Sequence, residues 1–304
     1  MSQSSKRAIS LASLTELWSQ YTAFRAGQLA PSTIKRDYRA IERRLIKLSN
    51  EAPDLGDAIA IRDWLLAHYS HEVSRRTLVQ FNACTKWAMN SDILERNPFE
   101  GVSSQIRKPR QSERAWVAFT IPERDVIIQE FAKTYLPGLA WVRFLFLTGA
   151  RPEEAAALRW EHVSSDYREI LIMEAFPVDM QEAQGTKNGK ITRFPCNPRL
   201  QQFLRLQHPT GGDRNDFVFP GPMGGRFDYH NFQTKHWKPT VKSLRDRGYV
   251  AFYLPQYHAR HTWITEALRA GMEVNDVSYL ARVSVAVLYK HYVGRTRTIT
   301  VPEF

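Results

Sequence analysis

Leu147-Thr148-Gly149-Ala150-Arg151-Pro152-Glu153-Glu154-Ala155-Ala156-Ala157-Leu158-Arg159-Trp160 is the stretch on which the reading of this chain turns. An apolar run from Leu139 to Thr148 precedes the break and reads as a buried helix. Gly149 interrupts it. Arg151-Pro152 then opens a second helix to Leu158, with proline at an early position where its missing N–H costs nothing. An arginine at such a break can hold a rigid, forked cation in a cleft, close to the positive end of a helix. That geometry suits a phosphate. The plainer reading is an exposed arginine paired to Glu153 or Glu154.

Downstream the pattern is mixed α/β. Ile170–Met173 and Ile191–Pro195 read as strands, separated by a turn at Gly185–Gly189. Lys187 sits in that turn, where a hairpin tip can reach into a groove and an ammonium can protonate a leaving alkoxide. Lys190 competes for the same role. Residues 209–228 read as loop, and helices return at about 229–247, 260–270, 273–282 and 284–291.

Upstream, residues 11–105 read as helical. Leu14, Leu17, Trp18 and Tyr21 share one face of a first helix. Pro31-Ser32-Thr33 opens a second, whose apolar face carries Ile34, Tyr38, Ile41, Leu45 and Leu48. Helices over about 57–69 and 74–91 follow, and Asn97-Pro98-Phe99 ends the unit. The expected organisation is a helical domain over 8–105, a basic linker over 106–118 and a mixed α/β domain over 119–304.

Lys+Arg 42 against Asp+Glu 31 gives a net charge of +11, which favours a polyanion as partner, with nucleic acid first. The basic residues that could contact it include Arg36, Arg39, Arg43, Arg75 and Arg76 in the helical domain and Arg107, Lys108 and Arg110 in the linker. The two cysteines, Cys84 and Cys196, are far apart in sequence. That spacing argues against a zinc site or a disulfide framework and suits a reducing cytoplasm. No apolar run approaches a membrane span. The polar start, Met1–Arg7, lacks the apolar core of a signal peptide.

Two further clusters carry chemistry. Tyr257-His258-Ala259-Arg260-His261-Thr262 crowds polar and charged side chains at a helix start, a costly choice in a plain core and a sensible one at an anion site. Near the end, Tyr289-Lys290-His291-Tyr292-Val293-Gly294 places two phenols three residues apart.

In the order Arg151, Lys187, Arg260, Tyr292, the chain resembles the tyrosine recombinases, or phage integrases. Leu147–Trp160, Thr186-Lys187, Arg260-His261-Thr262 and His291-Tyr292-Val293-Gly294 carry the resemblance. Trp18, Pro31–Tyr38 and Asn97-Pro98 extend it into the helical part. It implies a mainly α fold with a small β-sheet: a helical core-binding domain and a mixed α/β catalytic domain forming a clamp around DNA. It further implies a site-specific DNA recombinase. Tyr292 would attack the scissile phosphorus and form a 3′-phosphotyrosyl bond, Arg151 and Arg260 would hold the non-bridging oxygens, and Lys187 would be the general acid. No metal, other cofactor or ATP is expected. The implied partners are double-stranded DNA carrying specific recombination sites and further copies of the chain, as a homotetramer. The implied setting is the cytoplasm of a bacterium, with phage or a mobile element as source. The two rival functions are a binding-only relative without turnover and a relaxing enzyme of the type IB topoisomerase kind.

Two positions depart from the family pattern. Tyr257 stands three residues before Arg260, where a histidine is usual, with His258 next to it. Phenols ordinarily titrate near pH ~10, so a tyrosine is a poor general base at neutral pH. Val283 and Arg282 stand nine and ten residues before Tyr292, where Gly-His or Gly-Trp is usual. Tyr257, His258 or Arg282 is expected to supply the missing functions, with Arg282 as a phosphate donor. Tyr289 reads as a packing residue one turn before the nucleophile. The apolar end of Thr296–Phe304 is a candidate to dock on a neighbouring protomer.

Overall fold

The computed structural model describes residues 9–107, 116–177, 184–185 and 191–294. The chain is mainly helical with a small antiparallel sheet. It divides into two compact units, Met1–Gln111 and Ser112–Phe304. Among the described residues, no helix is long and apolar enough to cross a membrane.

In the first unit, α1 (Leu11–Ala26) starts where Ser10 Oγ accepts the Ser13 N–H at 3.1 Å. This is a cap of the kind short polar side chains supply. α2 (Pro31–Thr33) runs through a π-helical turn, Ile34–Tyr38, into α3 (Arg39–Glu51). α4 (Ala58–His68) begins on Asp57 and α5 (His71–Asn90) on Ser70. Their apolar stripes share one core, in which the Trp18 ring lies 4.9 Å from Tyr38 and 6.3 Å from Phe81. Asn97 closes the unit. Its side chain bonds Asn82 at 2.7 Å, Thr85 at 2.6 Å and the Phe99 N–H at 3.0 Å, seating Phe99 in the core.

The candidate DNA-contacting cations of this unit are at its surface. Arg36, Arg39, Arg43 and Arg76 are exposed and Arg75 is half-buried. Arg36 pairs with Asp37, and Arg75 and Arg76 share Glu72. Arg107 is exposed, while Lys108 and Arg110 lie outside the described residues.

The second unit opens with α6 (Ile121–Thr134), capped reciprocally by Thr120 and Glu123. The apolar α7 (Leu136–Thr148) follows and ends on Gly149 at φ +61°. Then come α8 (Pro152–Ala157), β1 (Glu169–Ile172), β2 (Glu174–Ala175), β3 (Gln184–Gly185) and β4 (Thr192–Pro195). β1 pairs antiparallel with β4, Ile170 opposite Phe194, and β2 pairs with β3. α9 (Pro198–Gln207) is capped by Asn197. α10 (Tyr229–Phe232) passes through a π-helical turn, Gln233–Trp237, into α11 (Lys238–Asp246). α12 (His258–Arg269), α13 (Val274–Ala281) and α14 (Val285–Leu288) complete it, and α14 continues as a π-helical turn, Tyr289–Val293.

The core of this unit is aromatic. Trp141, Trp237, Phe119, Phe131 and Phe144 are each fully buried. Both indoles find acceptors: Trp141 donates to Gln256 Oε1 at 3.0 Å and Trp237 to the Leu254 carbonyl at 2.9 Å. The buried polar groups thus cost little, and the large rings fix α7 and the chain leading into α12. A smaller apolar cluster joins Ile264 of α12, Val277 and Ala281 of α13, Leu288 of α14 and Tyr292. This cluster seats the last two helices against α12.

Candidate active site

The site grows from the C-terminal end of α13. A helix end leaves carbonyls without intrahelical partners and carries partial negative charge. Here three guanidinium groups take them up. Arg260 donates to the Ala281 carbonyl, Arg282 to the Leu280 carbonyl at 2.6 Å, and Arg151 to the Arg282 carbonyl at 2.8 Å. Arg282 itself stands at φ +53°, the left-handed turn that ends α13.

Each arginine arrives there for a local reason. Gly149 takes the left-handed conformation that α7 needs to stop, leaving Arg151 as the extended residue before α8. Arg260 lies in the first turn of α12 and is buried. It also donates to the Gly149 carbonyl at 2.9 Å, so the break after α7 is tied directly to α12. Burial, and then the charge of Arg151, push the Arg260 guanidinium down to about 10, which leaves it cationic at neutral pH.

Glu154 holds the cluster together. It is buried, and Arg282 grips it with two bonds of 2.9 and 2.7 Å. Arg151 adds a third at 2.6 Å, and the Arg151 N–H a fourth at 2.8 Å. Burial alone would raise the Glu154 carboxyl. The charges of Arg282 and Arg151 outweigh it and hold Glu154 below the usual carboxylate range. Three guanidiniums thus meet two carboxylates, the bonded Glu154 and the nearby Glu153, and the centre keeps an excess of positive charge. The bonds named engage one terminal N–H on each side of the Arg151 and Arg260 forks. A guanidinium has further donors with which to meet an anion.

Tyr292 lies in the π-helical turn after α14 and is buried. Its hydroxyl is 2.5 Å from His261 Nδ1. Burial raises the phenol's pKa and the nearby charge of Arg260 partly opposes this. His261 is buried too, and burial followed by the charges of His258, Arg260 and His291 pushes it down to about 3. The phenol therefore keeps its proton beside a neutral imidazole, and with the His261 proton on Nε2 the hydroxyl donates to Nδ1. Trp116 packs edge-on to Tyr292 at 5.6 Å and stacks on His291 at 3.9 Å.

Arg151, Arg260 and Tyr292 all lie in the second unit, with Arg260 close enough for its charge to act on the Tyr292 phenol. Lys187, with its competitor Lys190, lies outside the described residues, as does Thr296–Phe304. The other expected helpers border the same centre. Tyr257 is 38% exposed at the start of α12, its ring 5.3 Å from His261. His258 is buried with Nδ1 2.7 Å from the Val117 carbonyl. Arg282, expected as a phosphate donor, bonds Glu154 and the Leu280 carbonyl and braces the cluster. Tyr289, expected as a packing residue, is 60% exposed, because the wide π turn moves it off the buried stripe that Leu288 and Tyr292 occupy. Arg151 is neither fully exposed nor unpaired: its side chain is 26% exposed and bonded to Glu154.

Sequence reasoning missed two residues, Glu154 as the shared counter-ion and His261 as the partner of the phenol. Glu154 was readable only as one of two possible mates for Arg151. His261 adjoins Arg260, so it points to a neighbouring sector of α12, and its partner comes from a helix 31 residues on.

The sequence pattern of the phage integrase family matches residues 123–293, more than half the chain. The chain belongs to the phage integrase family, the tyrosine-type site-specific recombinases. No curated protein matches it in sequence. Among solved structures, the Tn1549 transposon integrase in complex with a circular intermediate DNA is 17% identical with a TM-score of 0.75. That match covers 92% of this chain and 94% of the other. A lambda integrase dimer bound to a COC′ core site is 10% identical with a TM-score of 0.66, covering 98% of this chain and 81% of that one. Lambda integrase residues 75–356 bound to DNA are 10% identical with a TM-score of 0.63, covering 95% and 99%. At these identities the likeness is one of fold.

Proposed function

We propose that this chain cuts and rejoins double-stranded DNA at specific sites through a covalent bond to Tyr292. The observation that carries the reading is the gathering of Arg151 and Arg260 at the end of α13, on the helix next to the one that bears Tyr292. A phosphodiester placed there meets two guanidiniums at its non-bridging oxygens. These stabilise the charge that develops as phosphorus is attacked. The Tyr292 oxygen bonds to phosphorus, the P–O5′ bond breaks, and the 5′-oxygen takes a proton from Lys187. The product is a 3′-phosphotyrosyl link with a free 5′-hydroxyl. The link conserves the bond energy, so a 5′-hydroxyl from a second strand can displace Tyr292 without ATP.

On this reading, residues 8–105 are the core-binding domain and 119–304 the catalytic domain. The exposed Arg36, Arg39, Arg43 and Arg76, with Arg75 and the linker residues Arg107, Lys108 and Arg110, lie on the phosphate backbone. Four protomers on two DNA sites carry out the paired exchanges, in the cytoplasm of a bacterium that harbours the phage or mobile element. The test starts from duplexes that the full chain selects out of a random pool, each nicked at successive positions so that a cleaved fragment diffuses away. A covalent adduct at one position, absent for Tyr292→Phe, supports the reading. No adduct at any position refutes it, and relaxation of arbitrary supercoiled plasmids would point instead to an enzyme without site choice.

A further inference from the structure

The proposed reaction needs a group to take the phenolic proton as Tyr292 attacks, and the position where the family pattern puts a histidine holds Tyr257. Tyr257 is exposed at the N-terminus of α12. His258 has turned its Nδ1 to the Val117 carbonyl, so that nitrogen is committed. His261 is different. Its Nδ1 is 2.5 Å from the Tyr292 hydroxyl, and the ring is buried.

The ring is also held on several sides. His258 lies 4.8 Å from it, Tyr257 and Trp116 each 5.3 Å, and Tyr292 5.8 Å, centroid to centroid. A ring packed in this way cannot swing off the phenol without displacing its neighbours. Trp116 adds a second fixation, since it stacks on His291, the residue preceding the nucleophile.

We propose that His261 is the catalytic base of this enzyme, accepting the Tyr292 proton during cleavage and returning it during rejoining. The inference rests on the reading of Tyr292 as nucleophile. In cleavage the Oη–P bond forms, the P–O5′ bond breaks, the phenolic proton passes to His261 Nδ1, and the 5′-oxygen takes the proton of Lys187. In rejoining the O5′–P bond forms as the incoming 5′-hydroxyl gives its proton to the Lys187 amine, the Oη–P bond breaks, and the departing phenolate recovers its proton from the His261 imidazolium. The charged and titratable groups around the imidazole are His258, Arg260, His291, Tyr257 and Tyr292. Burial, with the charges of His258, Arg260 and His291, makes an imidazolium costly in the free protein. A phosphodiester seated on Arg260 offsets the Arg260 part of that cost, which strengthens the base when substrate is bound.

His261→Asn separates proton transfer from positioning. The amide oxygen can accept a hydrogen bond near the place of Nδ1 but cannot take up a proton. On the adduct-forming duplex, His261→Asn is expected to slow adduct formation about 10²-fold or more while DNA affinity and melting temperature stay close to wild type. The same duplex with sulfur replacing the 5′-oxygen of the scissile link has a leaving group that needs no acid. His261→Asn is expected to remain slow on it, whereas Lys187→Ala recovers. Wild-type rates for His261→Asn, or recovery of this variant on the sulfur substrate, would overturn the proposal. If His261→Asn melts early, His261→Ala with added imidazole replaces it: restored cleavage supports the role and no restoration opposes it. Failure of the wild-type chain to form any adduct would instead sink the reading of Tyr292 itself.

Discussion

Glu154 decides the geometry of the centre at the residue scale. It neutralises part of a cluster of three arginines and fixes the directions of two of them. Glu154→Gln keeps the shape and removes the charge, leaving Arg282 and Arg151 without their counter-ion. Breaking a buried pair by removing one partner costs about 3 kcal/mol, so chemical denaturation should show a loss of that order. Cleavage should fall with it. An unchanged midpoint would mean the pairing contributes nothing to the fold. His261 carries a prediction in pH. Its folded value lies below its ordinary value of 6.5. Above pH 6.5 both states leave it neutral; as pH falls below that, the unfolded chain binds a proton that the folded chain refuses. Stability is therefore lost toward acid, by about 1.4 kcal/mol one unit below the ordinary value. His261→Asn should flatten that part of the stability–pH curve, and a curve identical to wild type would contradict the assignment.

At the scale of elements, the helix starts were legible and the widened turns were not. Pro31-Ser32-Thr33, Thr120 with Glu123, and Arg151-Pro152 carry capping and early-proline signals that act within one turn. Ile34–Tyr38, Gln233–Trp237 and Tyr289–Val293 adopt π geometry instead, which no local residue choice announces. Assigning Tyr289 to packing failed for that reason. The bond of Arg282 to Glu154 was not legible, because the two lie 128 residues apart, a distance over which periodicity says nothing. Gly149 is the element boundary with most leverage. Its φ is +61°, and a Cβ there would lie 3.0 Å from the Trp263 ring. Gly149→Ala should cost about 1–2 kcal/mol from the left-handed backbone alone. It should also weaken cleavage, because the Gly149 carbonyl orients Arg260. Thermal melting and adduct yield measured on the same variant check both halves.

On the scale of the whole molecule, the net charge of +11 and the exposed arginines of the first unit set the expectation for DNA affinity. Neutralised phosphates release counterions, so affinity should fall linearly on a log–log plot against salt. Each of Arg36→Ala, Arg39→Ala and Arg43→Ala that removes a phosphate contact should make that slope shallower by about 0.9. A slope unchanged in all three would place the DNA on another face. Composition made the polyanion legible from the start. Which faces meet it was not, because exposure is shared by many more cations than a duplex can touch. The central claim concerns one oxygen atom, and peptide mapping of the trapped protein–DNA adduct by mass spectrometry tests it most directly. The account predicts a nucleotide 3′-phosphate on Tyr292, and none on Tyr289 or Tyr257. A phosphotyrosyl link on either of those residues, or a link through the 5′ end of the cut strand, would contradict it.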